Sequence, residues 1–456
     1  VLFCLRVVLA ALIFGCVAGH AQAQPPEPGP GPAPISDFDA LQRWIETHLP
    51  APVLPAAPMA PLVDAGGLSL ELAALRAATM PKPIDDGFVD TWPELLGDYA
   101  NGDIVAWRDV TAAAQQVLLV PARQVLQLKF RTTDSHDAAS YAVATLVIPP
   151  GEWTGPGRRP VVVNNLPING LGRDCNPSYT LARGWAGDAD ITDYIPPTTQ
   201  LATLRGYAVL ITDHEGPRMA YAEPYVAGHA VLDSIRAVRN ALPDEFGDSR
   251  FGMIGYSGGA IATNGAVKLM AEYAPELADV VVGAAMGGVP ADFELLGSSM
   301  NGNLASGVFL AATFAIGRER PEILDRMNAL AQWIALVMKD QCMDIFALPG
   351  VFMLPIELAA DIPDPLHSAL AHDIYRLTRM EGKKSLVPLY IYNGEQEFWV
   401  PAEGARNFYR EQCALGVNAV YRDVFGEHII AAFTGYPESL LWLDERLRGE
   451  PAISEC

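Results

Sequence analysis

Apolar and polar residues alternate with a period of two over residues 125–131 and again over 141–148, which predicts an early antiparallel pair of strands. Past the turn-rich stretch 151–159 the pattern changes. Short, continuously apolar runs at 161–164, 207–212, 252–255, 280–284, 388–392 and 419–422 are separated by helical periodicity at 228–242, 259–273, 403–415 and 437–448. Strands alternating with helices predict a mostly parallel sheet with helices on both faces, an α/β fold. Active sites in such sheets gather at the carboxyl ends of the strands.

One interval breaks the rhythm. Residues 290–385 carry apolar runs at 304–316, 330–338 and 345–358, each too short to span a bilayer. They predict a helical cap with an apolar inner surface, inserted into a core formed by residues 101–289 and 386–456. The plainer alternative is a packed subdomain with no role in substrate binding. Residues 37–100 hold helical patterns near 37–48 and 68–77 in a Pro- and Ala-rich background, and are expected to pack on the core as an extension. Residues 24–36 read as a Pro-rich linker. Before it, Arg6, the apolar run 7–17 and Ala21-Gln22-Ala23 read as a signal peptide over residues 1–23. The alternative is a lipoprotein anchored at Cys16, in the lipobox-like Ile13-Phe14-Gly15-Cys16. Either reading predicts export, to the medium or to the periplasm and cell envelope.

Composition narrows the classes. Of 456 residues, 50% are apolar and 18% charged, which excludes wholesale disorder. Lys and Arg number 31 against 53 Asp and Glu, a net charge of −22 without a basic cluster, which argues against nucleic acid and anionic lipid as partners. The mean hydropathy of +0.17 is traced largely to the leader and the capping interval. Six cysteines lack C-x-x-C or zinc-finger spacing, so no thiolate metal site is expected. Removing the leader takes away Cys4 and Cys16. The remaining four allow three pairings, of which Cys175–Cys342 and Cys413–Cys456 are favoured in an oxidising compartment; the alternative leaves one or more reduced.

The chemistry centres on Phe251-Gly-Met-Ile-Gly-Tyr-Ser-Gly-Gly-Ala260, a G-x-S-x-G in strand–turn–helix context. Such a turn lifts the Ser257 hydroxyl to the sheet edge, at a helix N-terminus that favours developing negative charge. A serine needs a base, and in this arrangement the order along the chain is Ser, acid, His. Only His367, His372 and His428 follow Ser257, and only His428 lies beyond the strand at 388–392. His367 and His372 fall in the cap. Glu397 is placed to accept the Nδ1 proton of His428; Glu395, Asp423 and Glu427 are the alternatives. The oxyanion of a tetrahedral intermediate needs amide donors. One should be Gly258, and another should come from Asn165-Leu166-Pro167-Ile168-Asn169-Gly170, where Pro167 cannot donate and Ile168 or Asn169 remain.

Five segments together resemble the secretory lipase family. They are Trp153-Thr-Gly-Pro-Gly157, Gly170-Leu-Gly-Arg-Asp-Cys-Asn-Pro-Ser178, Tyr225-Val-Ala-Gly-His-Ala-Val-Leu-Asp233, Gly255-Tyr-Ser-Gly-Gly-Ala-Ile-Ala262 and Ala285-Met286-Gly287-Gly288-Val289-Pro290. The resemblance covers about residues 102–447. It implies an α/β-hydrolase fold with a helical cap and cofactor-free hydrolysis of acylglycerols and other carboxylic esters. Its nucleophile falls on Ser257, its base on His428, and its usual Asp on Glu397, whose extra methylene requires a shifted backbone or rotamer. The Asn-Leu-Pro-Ile-Asn stretch departs from a small, Gly-rich loop. The expected function is an exported serine ester hydrolase acting on lipophilic esters through an acyl-enzyme, with transient lipid-interface contact through the cap. A serine peptidase or acyltransferase, or a catalytically silent surface or binding protein, are the alternatives.

Overall fold

One sheet is built from β1 (Ile104–Asp109), β2 (Gln124–Thr133), β3 (Ala139–Ile148), β4 (Val161–Asn165), β5 (Ala208–Thr212), β6 (Phe251–Tyr256), β7 (Val281–Gly287), β8 (Leu389–Gly394) and β9 (Ala419–Val424). These elements come from a computed structural model that describes residues 37–54, 67–186, 196–343 and 348–456. The expected leader and linker lie outside the described residues. Across the sheet the order is β1-β2-β3-β5-β4-β6-β7-β8-β9. β2 and β3 pair antiparallel from Gln124↔Ile148 to Thr133↔Ala139. β3 meets β5 antiparallel, and from β5 to β9 neighbours run parallel.

The apolar runs explain this architecture. Every residue of β4, β5, β6 and β8 is buried, because helices cover both faces. The Pro224–Ala241, Gly258–Tyr273 and Ala402–Ala414 helices pack one face around Val163, Met253 and Leu389. Thr111–Leu118 and Tyr436–Arg448 pack the other around Val162, Val209 and Ile254. β1 has no counterpart in the sequence reading. It is an edge strand with only partial burial and an exposed Trp107, so no apolar period marks it.

Between β7 and β8 lie the helices Phe293–Met300, Ser306–Glu319, Ala329–Met338 and Ala369–Arg379. The run at 345–358 departs from expectation. In its described part it makes only the short turns Leu348–Val351 and Ile356–Ala359, in a stretch that holds Pro349 and Pro355. Charges buried at the end of the Ser306–Glu319 helix fix this insertion to the core. Arg318 donates to the carbonyls of Thr79, Leu171, Arg218, Met219 and Lys339. Glu319 pairs with Arg218 at 2.9 Å, and Arg320 with Glu223 at 2.8 Å.

Phe38–Cys456 forms one unit, so the stretch before β1 is not a separate body. Gln42 Nε2 donates to the carbonyls of Ala360 (2.6 Å) and Ile362 (2.9 Å), and Arg76 Nε to Arg318 O (2.8 Å). Both favoured disulfides are present. Cys175–Cys342 joins the segment after β4 to the insertion, and Cys413–Cys456 fastens the C-terminal tail.

Candidate active site

β6 ends at Tyr256 and the next helix starts at Gly258, leaving Ser257 alone to make the turn at φ 52° and ψ −117°. That conformation costs about 1–3 kcal/mol in a non-glycine residue and must be imposed by its surroundings. The flanking glycines allow it. A Cβ on Gly255 would lie 2.2 Å from Gly259 O, and one on Gly259 would lie 1.8 Å from Asn165 O. The Ser257 amide donates to Gly287 O of the neighbouring strand at 3.0 Å, fixing the turn to the sheet.

Two further segments at the same sheet edge, the loop after β8 and the start of the helix after β9, complete the array. Ser257 Oγ is 2.8 Å from His428 Nε2, and His428 Nδ1 is 2.7 Å from Glu397 Oε2. His428 is the first residue of the His428–Thr434 helix rather than part of a preceding loop, with Glu427 as its N-cap. The Glu397 side chain has no solvent exposure and that of His428 6%. Burial alone would raise the Glu397 carboxyl. Hydrogen bonding and charge from His428, with the Trp399 and Val400 amides, outweigh burial and hold it below the usual carboxylate range. Trp399 N donates to Glu397 Oε1 at 2.9 Å, so the longer side chain is pinned by its own loop while Oε2 reaches the imidazole. The imidazole lies between two rings, Trp399 at 5.8 Å and Tyr256 at 5.2 Å between centroids.

The alternative acids face elsewhere. Glu395 is exposed and accepts from Gln396 Nε2, Asp423 pairs with Arg406, and Glu427 caps the amides of Ile429 and Ile430. His367 pairs with Asp364 on the surface, and His372 is exposed.

The oxyanion expectation needs a correction at Ile168. Its amide donates to Leu166 O at 2.9 Å in a tight turn, so it has no proton to offer an oxyanion. The Asn169 and Gly170 amides face the wholly buried Glu215, whose carboxyl burial keeps well above its ordinary range. Asn169 itself has φ 45°, and its carboxamide lines the cavity beside Ser257. A Cβ on Gly258 would lie 1.9 Å from Asn169 Oδ1, so this polar group rests against the head of the Gly258–Tyr273 helix. Sequence reasoning missed Tyr256, Trp399 and Glu215, because each acquires its role only through tertiary contact.

From Ser257 and His428 a cavity of about 180 Å³ opens into the helical insertion, lined by Phe293, Phe309, Ala312, Phe314 and Ile374 among others. Its lining is predominantly apolar and suits an extended hydrocarbon chain. Among the described residues, the one close His/Cys/Asp/Glu triple is Asp174 with Cys175 and Cys342, whose sulfurs are bonded to each other. No described helix is long and apolar enough to cross a membrane.

Comparison with known proteins agrees with this fold. A family profile described as secretory lipase matches residues 198–455. Lipase A of Moesziomyces aphidis is 29% identical over 392 residues, covering 82% of each chain. A protein of Mycobacterium tuberculosis described as a probable inactive lipase is 27% identical over 358 residues, 77% of this chain and 79% of that one. The crystal structure of Candida antarctica lipase A in its closed state superposes with a TM-score of 0.72 at 28% identity, over 83% of this chain and 89% of that one.

Proposed function

Because the chain belongs to the secretory lipase family, we propose that it is an exported serine carboxylic-ester hydrolase acting on acylglycerol-like or other lipophilic esters through an acyl-enzyme. The observation that carries this reading is the unbroken relay Ser257–His428–Glu397 at the mouth of an apolar cavity. His428 Nε2 takes the Ser257 proton as Oγ attacks the ester carbonyl. Glu397, acceptor-only when ionised, holds the Nδ1 proton and stabilises the imidazolium. The carbonyl oxygen, now negative, is met by the Gly258 amide at the helix start. His428 then protonates the departing alcohol. Water, deprotonated by the same nitrogen, attacks the acyl carbon and frees the acid and Ser257.

The apolar lining supports a hydrocarbon acyl group, and the two disulfides support maturation in an oxidising compartment. An alkyl phosphonate tests the reading, together with p-nitrophenyl esters of graded chain length. Labelling of Ser257, its loss in Ser257→Ala and ester turnover are expected. Activity confined to peptides would make the protein a peptidase. Absence of both labelling and turnover would make it a silent binding protein, the state that the name of the mycobacterial relative describes for that protein.

A further inference from the structure

We infer that Tyr256 and Gln396 are positioning residues for the base, holding the backbone of residues 426–428 in register with Ser257 and Glu397. The inference rests on the triad reading above. His428 sits at the start of a helix of only seven residues, and its N-cap, Glu427, spends its carboxylate on the amides of Ile429 and Ile430 in that same helix. Glu427 therefore gives the segment no side-chain grip on the sheet. The grip comes from elsewhere. Tyr256 Oη donates to His428 O at 2.5 Å. Gln396 Oε1 accepts from Gly426 N at 2.6 Å, while Gln396 N donates to Gly426 O at 3.1 Å.

The placement along the chain is what gives these contacts meaning. Tyr256 immediately precedes the nucleophile, and Gln396 immediately precedes the acid. Each partner of the imidazole thus has a chain neighbour that clasps the backbone carrying the imidazole. The Nε2–Oγ and Nδ1–Oε2 distances are then set by short rigid paths rather than through the whole sheet. The base has to serve two oxygens in turn, Oγ and then the departing alcohol. A displacement of about 1 Å in such a group costs about a hundredfold in rate. Neither Tyr256 nor Gln396 lines the cavity that receives the acyl group, so substrate binding does not depend on them.

Tyr256→Phe keeps the ring against the imidazole and removes only the hydrogen bond; Gln396→Ala removes the side-chain bond to the Gly426 amide and keeps the main-chain one. In each folded variant kcat should fall about tenfold or more while KM stays within about twofold, the signature of loss in the transition state alone. The rate of phosphonate labelling of Ser257 should fall by the same factor. A role confined to stability would lower the unfolding midpoint and leave kcat of the folded protein intact, which would overturn the inference, as would a loss expressed in KM. Gln396 is exposed, so Gln396→Ala carries the test if Tyr256→Phe does not fold. A wild type inert to phosphonate and esters overturns the ester-hydrolase reading and this inference together. An active wild type with unimpaired variants overturns this inference alone.

Discussion

The imidazole of His428 and the carboxylate of Glu397 stand 2.7 Å apart, with the acid side chain wholly withdrawn from solvent. A charge held there acts through a medium that screens it little. Replacing it by the neutral isostere removes the stabilisation of the imidazolium and keeps the shape. Glu397→Gln should lower kcat on a p-nitrophenyl ester by about 10³-fold or more. Glu395→Gln, at a side chain that does not reach the imidazole, should leave it unchanged. Equal rates for Glu397→Gln and wild type would move the acid to another residue.

The cavity leads to a prediction about chain length. Ala312, on the Ser306–Glu319 helix, contributes a small side chain to its wall. Ala312→Trp places an indole in the space assigned to the acyl group. Turnover of long-chain esters should fall about tenfold or more relative to acetyl esters, as kcat/KM across the series will show. A uniform change over all chain lengths would remove the cavity from the acyl path.

Arg318 should be among the costliest single positions for stability. Its guanidinium is wholly buried, burial lowers its pKa to about 10, and it satisfies five main-chain carbonyls. Arg318→Met leaves those carbonyls without their donor, a loss of about 3 kcal/mol or more. Urea unfolding measures it directly.

Asp213 makes the stability depend on pH in the direction opposite to a salt-bridged acid. Burial pushes its carboxyl up to about 7 against the hydrogen bonds of Ser178, while its unperturbed value is 3.8. Between those values the folded protein holds a proton that the unfolded chain has released. Stability from this residue is therefore greatest below the lower value, declines as pH rises, and levels off above the upper one. The slope is at most about 1.4 kcal/mol per pH unit. Asp213→Asn should flatten the decline of the urea midpoint between about pH 5 and about pH 8.

Much of this architecture is written in local patterns. The apolar runs of β4 and β5 name buried strands because such runs suit little else, and Gly255 and Gly259 announce a turn in which a side chain would collide. Ser257, Glu397 and His428 follow from the order of loops at one sheet edge. β1 is silent in the sequence because an edge strand needs no unbroken apolar run. Ile168 illustrates the opposite limit: composition shows that it has an amide proton, but only the fold shows that Leu166 has taken it. Tyr256 and Gln396 belong to the same class. Their partners are backbone atoms of Gly426 and His428, which no residue type at those positions betrays.

The Cys175–Cys342 bond has a consequence in time. It clusters with Ile168 and Met219 behind the loop that carries Asn169, and Met343, next to Cys342, touches the Asn169 carboxamide at 3.6 Å. With the two thiols reduced that brace is missing, so the loop that carries Asn169 loses its tie to the insertion and the chain should stay latent until the bond forms. Refolding with the thiols kept reduced should give protein of low ester turnover that recovers on oxidation. On the export proposed above, the same bond would tie the onset of activity to arrival in an oxidising compartment.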